Sequence, residues 1–133
     1  LQNVISFKSR IIQIRELEPG ESVGYSRKAI GTSKRVIATV SVGYADGFGR
    51  IMGNGNWQML VHGQKAPVTG NVCMDMCMID ITDIPEAKEG DEVIIFGEGN
   101  PLEEYAAAMN TIAYEALTSI SERVKRVYVQ HGS

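Results

Sequence analysis

Two tyrosines stand in the same tripeptide, VGY: Tyr25 in "ESVGYSRKAI" and Tyr44 in "VSVGYADGFG". A third, Tyr114, lies in "TIAYEALTSI". A phenol donates and accepts hydrogen bonds, so each can hold a ligand oxygen or move a proton. On residue type alone each reads as an ordinary half-buried tyrosine with an apolar ring and a wet hydroxyl. The other chemistry-bearing stretch is "CMDMCM", where Cys73, Asp75 and Cys77, with His62, have the residue types of a metal site. Strand geometry argues against one. At a rise of about 3.3 Å per residue the two cysteines sit roughly 13 Å apart, beyond the reach of a disulfide or a shared ion. The expectation is no metal, with both cysteines acting as small buried hydrophobes.

The elements that must position these residues read as mainly β. Short valine- and isoleucine-rich runs alternate with turn residues. "VISFKSRIIQIREL", "SVGYSRKAI", "KRVIATVSVGY", "WQMLV", "KAPVTG", "VCMDMCMIDI", "EVIIFG" and "VKRVYV" are strand candidates. Pro19 and Gly20 suit a type II turn, "HGQ" a hairpin connection, and "ADGFGRIMGNGN" a surface loop. "NPLEEYAAAM" opens a helix, with Asn100 as N-cap, Pro101 at the first position and Glu103 in the first turn. "TIAYEALTSI" continues helically. Strands, then a short helical pair, then a strand imply a β-rich domain with helices at one end.

In "VCMDMCMIDI" alternation places Cys73, Asp75 and Cys77 on one face and Val72, Met74, Met76 and Met78 on the other. Both faces are apolar, so the strand is expected to be covered on both sides. Asp75 is then the anomaly, because an uncompensated buried carboxylate costs several kcal/mol or more. Two readings stay open: an ion pair with Arg10, Arg27 or Arg50, or a carboxylate that shapes a site against the strand's own backbone.

The chain has 133 residues, 44% of them hydrophobic and 22% charged, as expected of one globular domain. A net charge of −3 argues against nucleic acid or an anionic membrane as a partner. No apolar run approaches the ~20 residues of a membrane span. Two cysteines build no disulfide framework, which suits a reducing cytoplasm. The start, "LQNVISFKSR", lacks methionine and a signal-peptide layout, and reads as cut from a longer chain.

Taken together, "LEPGESVGYSRKAI", "VSVGYADGFGR", "HGQKAPVTG", "NVCMDMCMIDI", "EVIIFG", "TIAYEALTSIS" and "RVKRVY" resemble the C-terminal domain of alanine racemase, in family order over nearly the whole chain. The resemblance implies a Greek-key, β-barrel-like domain spanning residues 1–133. It would follow a (β/α)₈ barrel, missing from this chain, that binds pyridoxal 5'-phosphate covalently through a lysine. It also implies a homodimer in which each C-terminal domain completes the partner's site, interconverting L- and D-alanine for peptidoglycan. By the same resemblance Tyr25 is the catalytic tyrosine, and Tyr44 stands at the substrate entrance. The Met74 backbone N–H helps hold the substrate carboxylate, flanked by Cys73 and Asp75 as substrate-binding neighbours. Tyr114 contacts the cofactor phosphate, with Ile112 near the entrance.

An unperturbed phenol has a pKa of about 10, so a tyrosine base needs cationic neighbours. The histidines, His62 and His131, are distant from Tyr25 in sequence, so the tuning groups are expected on the barrel, with Arg27 the local candidate. Asn71 stands where the family commonly has arginine, which removes a charge near the entrance and leaves substrate breadth open. The alternatives are a broader amino-acid racemase and a non-catalytic β-barrel interaction domain.

Overall fold

β1 (Gln2–Leu17) is a 16-residue strand that serves three partners in turn. Its first residues pair with β7 (Val127–His131), Phe7–Arg10 pair with β6 (Glu92–Phe96), and Ile11–Leu17 pair with β2 (Arg35–Val40), all antiparallel. Register shifts at Phe7/Lys8 and Ile11/Gln13 break the ladder where the partner changes. Such irregularities bend a strand, which lets one long segment run around a curved sheet. These elements belong to a computed structural model that describes residues 2–18, 34–120 and 127–131, with side chains over 5–18 and 34–120.

The ring is completed by β3 (Gln58–Val61), β4 (Gln64–Thr69) and β5 (Cys77–Asp80). Neighbours run β2-β5-β4-β3-β6-β1, and the further β2–β1 pairing closes six strands on themselves, with β7 appended to β1. β3, β4 and β5 are successive antiparallel neighbours, and β6 returns beside β3. That is the 4-1-2-3 order of a Greek key. The mainly β, barrel-like expectation therefore holds, and closure leaves the six-stranded ring without a free end. The β3–β4 connection is the two-residue turn His62–Gly63, with φ of 52° and 74°. Positive φ at both positions is the type I′ geometry whose twist matches the flanking strands.

The thinnest seam is β3–β6, which has one paired register position, Leu60↔Ile94. Side chains stitch it. The Trp57 Nε1–H donates to the Ile95 carbonyl at 2.9 Å, and the Asn100 amide donates to the Gln58 and Ile95 carbonyls, each at 2.9 Å. This corrects the expected helix cap. α1 (Leu102–Ala108) has Pro101 at its N-cap with no side-chain bond, and the Asn100 amide donates instead to two sheet carbonyls.

α1 and α2 (Ala113–Thr118) form the expected helical pair. Tyr105 of α1 is fully buried, with its ring 4.8 Å from Phe96, 5.4 Å from Trp57 and 6.4 Å from Phe48. Phe48 and Met52 are also fully buried, so "ADGFGRIMGNGN" is not the surface loop its glycines suggest. It folds into two short 3₁₀ turns, Tyr44–Asp46 and Arg50–Met52, and contributes two core side chains. The strand expected over "SVGYSRKAI" and the turn at Pro19–Gly20 lie outside the described residues. No helix among the described residues is long and apolar enough to cross a membrane.

Candidate functional site

Two backbone segments meet at one side of the sheet, and neither is a regular strand there. The first is the Gly43–Gly47 turn. Asp46 N–H donates back to the Gly43 carbonyl at 3.0 Å, and the Asp46 carboxylate accepts from Gly43 N–H, also at 3.0 Å. The second is a turn over residues 73–76, closed by Cys73 N–H donating to the Met76 carbonyl at 2.9 Å. They are joined by Tyr44 N–H to the Cys73 carbonyl at 2.9 Å and Ala45 N–H to the Met74 carbonyl at 3.0 Å. The approach is close enough to require glycine: a Cβ on Gly43 would lie 2.3 Å from the Cys73 oxygen and 2.4 Å from the Met74 oxygen.

A pocket of about 540 Å³ opens here, lined by Tyr44, Arg50, Asn71, Val72, Cys73 and Met74. The Arg50 guanidinium lies 4.6 Å from the centre of the Tyr44 ring, a cation–π stack that holds both side chains at the wall. Asn71, a neutral amide, accepts from the Asn54 side-chain amide at 3.0 Å. Among the described lining residues Arg50 carries the one formal charge. The pocket thus keeps a guanidinium, that of Arg50, beside the neutral Asn71. The Met74 N–H donates to none of the described residues, while the Met74 side chain is 54% exposed. A guanidinium, an amide unpaired among the described residues and a phenol around one pocket suit a small ligand carrying a carboxylate.

The structure thus brings together Tyr44, Cys73 and Met74 of the expected set. Tyr25 and Arg27 lie outside the described residues. Asp75 is corrected in two respects. It occupies the exposed 73–76 turn, not a strand covered on both faces, and its side chain is exposed. The alternation assumed for "CMDMCM" fails because β5 begins only at Cys77, so the spacing argument for Cys73 and Cys77 does not apply. Of its suggested partners, Arg10 donates to the Gly90 carbonyl and Arg50 stacks on Tyr44. The cysteines differ: Cys73 is half-buried, while burial, with Cys73 nearby, pushes the Cys77 thiol up to about 12. Among the described residues the buried carboxylate is Asp46, 7% exposed, which the sequence reading passed over together with Gly43. The signal was present in "GYADG", where an aspartate stands three residues after the glycine whose N–H it receives.

Tyr114 stands on α2, 73% exposed, its hydroxyl paired with none of the described residues, and Ile112 at the helix start is exposed too. α2 leads into the chain that packs on the Tyr44 turn: a Cβ on Gly47 would lie 2.4 Å from the Ser119 carbonyl. Tyr114 is not among the residues that line the pocket; its open phenol on α2 has the chemistry to contact a phosphate oxygen, the part a tyrosine would play toward pyridoxal phosphate. Among the described residues no lysine lines the pocket.

The alanine racemase C-terminal domain family matches residues 4–128. Alanine racemase 1 of Clostridium acetobutylicum is 42% identical over 136 aligned positions, spanning 99% of this chain and 35% of that protein. The crystal structure of the biosynthetic alanine racemase from Pseudomonas aeruginosa superposes with a TM-score of 0.82 at 42% identity, over 90% of this chain and 33% of the other. That of alanine racemase from Bartonella henselae with covalently bound pyridoxal phosphate gives 0.83 at 35% identity, over 89% and 33%. The chain therefore spans about a third of the length of these relatives, and it belongs to the alanine racemase C-terminal domain family.

Proposed function

We propose that this chain is the C-terminal part of a cytoplasmic, pyridoxal-phosphate-dependent alanine racemase that works with its own N-terminal barrel in a homodimer. The observation that carries the reading is the pocket where Tyr44, Arg50 and Met74 converge, in a chain of this family. Pyridoxal phosphate, when bound, supplies an electron sink that acidifies the substrate Cα–H. Everything else asked of this chain is binding, orientation and proton movement. The Met74 N–H and the Arg50 guanidinium take the alanine carboxylate, fixed donors that need little reorganisation. Tyr44 lines the entrance, Cys73 and Asp75 flank the carboxylate contact, and Tyr114 holds a phosphate oxygen of the cofactor.

Tyr25 is the proton-transfer group on one face of the substrate, and the barrel lysine serves the other. The two free cysteines, one half-buried and one buried, suit a reducing compartment. The test is Tyr25→Phe in the whole enzyme. Racemisation should fall by roughly 10²–10⁴-fold, the usual contribution of a general acid–base group. The defect should be lopsided: solvent deuterium exchange at Cα collapses for one alanine enantiomer and persists for the other. Equal loss for both enantiomers, or none for either, refutes the assignment.

A further inference from the structure

We infer that Asp46 is a positioning residue: through the Gly43–Ala45 backbone it fixes the Cys73–Met74 peptide so that the Met74 N–H faces the ligand carboxylate. The inference rests on the proposed role of the Met74 N–H and adds the residue that sets its direction. A trans peptide unit is planar, with its C=O and N–H pointing in opposite directions. The structure has no cis peptide bond among the described residues. The Cys73 carbonyl, which shares a peptide plane with the Met74 N–H, accepts from Tyr44 N–H at 2.9 Å. The Met74 N–H must therefore point away from the Gly43–Gly47 turn. The next carbonyl, that of Met74, accepts from Ala45 N–H at 3.0 Å, so both planes flanking the residue are held from the same side.

A buried carboxylate adds to the backbone bonds that hold the turn, Asp46 N–H and Phe48 N–H to the Gly43 carbonyl and Gly47 N–H to that of Tyr44. Asp46 is 7% exposed, and its Oδ2 accepts from Gly43 N–H at 3.0 Å. A hydrogen bond to an ionised acceptor is about twice as strong as a neutral one, and low exposure protects it from competing water. Gly43 makes the coupling stiff, because its Cα packs directly on the Cys73 and Met74 carbonyls with no room for a side chain. Loosening Asp46 therefore loosens the two N–H donors that aim the Met74 peptide.

The test uses the whole enzyme carrying this chain, with Asp46→Ala, Asp46→Asn and a Met74 peptide N–H replaced by an ester oxygen. Propionate, a carboxylate without the reacting amine, is titrated by calorimetry alongside KM and kcat for alanine. A positioned N–H on a carboxylate contributes about 10-fold or more to affinity. The ester should weaken propionate by about that factor, and Asp46→Ala should approach it, with kcat within about threefold. In the ester background Asp46→Ala should add nothing, since the group it positions is gone. Backbone hydrogen exchange at Tyr44 and Ala45 should quicken in Asp46→Ala. Should that variant not fold, Asp46→Asn, a neutral acceptor, should show a smaller loss of roughly 2–5-fold with the same non-additivity. If the ester is harmful and the Asp46 effects are absent or fully additive, the positioning role is overturned while the Met74 contact stands. If the ester is harmless, the Met74 contact fails and this inference falls with it.

Discussion

Gly43→Ala adds one methyl group where the structure has no space for it. The new Cβ would lie 2.3 Å from the Cys73 oxygen, 2.4 Å from the Met74 oxygen and 2.5 Å from the Met74 carbonyl carbon. These are backbone atoms, so no side chain can rotate away, and an ordinary contact of about 3.5 Å requires the segments to part by roughly 1 Å. That displacement carries the Tyr44–Cys73 and Ala45–Met74 hydrogen bonds, now 2.9 and 3.0 Å, out of range. Backbone strain contributes nothing, because Gly43 is extended, at φ −150° and ψ −168°, which alanine adopts readily. Overpacking of about 1–3 kcal/mol plus two hydrogen bonds of about 1 kcal/mol each gives roughly 3–5 kcal/mol. With a urea slope of about 1–3 kcal/mol per molar, the unfolding midpoint should fall by roughly 1–5 M, read by circular dichroism. Amide exchange at Tyr44 and Ala45 should accelerate in the same variant. Gly55→Ala is the contrasting control: nothing lies within 4 Å of its Cβ, but φ is +86°, so the expected cost is conformational and about 1–2 kcal/mol. A Gly43→Ala protein with an unchanged midpoint and unchanged exchange at Tyr44 and Ala45 would refute the close-approach reasoning.

Asp80 links stability to pH. Partial burial pushes its carboxyl up, but the Thr82 hydroxyl and N–H and the Arg35 guanidinium outweigh burial and hold it below the usual carboxylate range. Its contribution is therefore present above the unfolded value near 4 and lost as pH falls through the lower folded value. Asp80→Asn should cost about 1–3 kcal/mol at pH 7 and flatten the acid limb of the stability curve; an identical acid limb in both proteins would contradict this. Tyr105→Phe should leave stability unchanged or raise it by about 1 kcal/mol in thermal unfolding. Its buried hydroxyl has no hydrogen-bond partner among the described residues, and the ring contacts survive. A clear loss would reveal a partner for that hydroxyl. In the folded chain at neutral pH a thiol reagent should modify Cys73 and spare Cys77, whose thiol is buried and held protonated at about 12. Mass spectrometry showing Cys77 labelled first would overturn that ordering.

Much of the architecture was legible because the signals behind it are local. Alternating valine and isoleucine report a strand wherever it pairs, and "HGQ" between two strand runs reports a hairpin connection, whose type I′ geometry the φ values then show. The helical pair could be read from "PLEEYAAAM" and "AYEALT" for the same reason, and the ordered motifs identified the family. The tertiary structure alone decided which segments meet. Nothing local to Met74 or Asp75 distinguishes a strand from a turn whose carbonyls are claimed by Tyr44 and Ala45, about thirty positions earlier. Backbone-to-backbone bonds carry no side-chain signature, so the donor of a loop carbonyl cannot be read along the chain. Asn100 likewise looks like a helix cap until two carbonyls flanking the β3–β6 seam compete for its amide. Phe48 and Met52 look like loop residues until closure of the sheet and α1 provide a core for them. Burial is a property of the closed ring, and the ring closes through contacts that short-range periodicity does not encode.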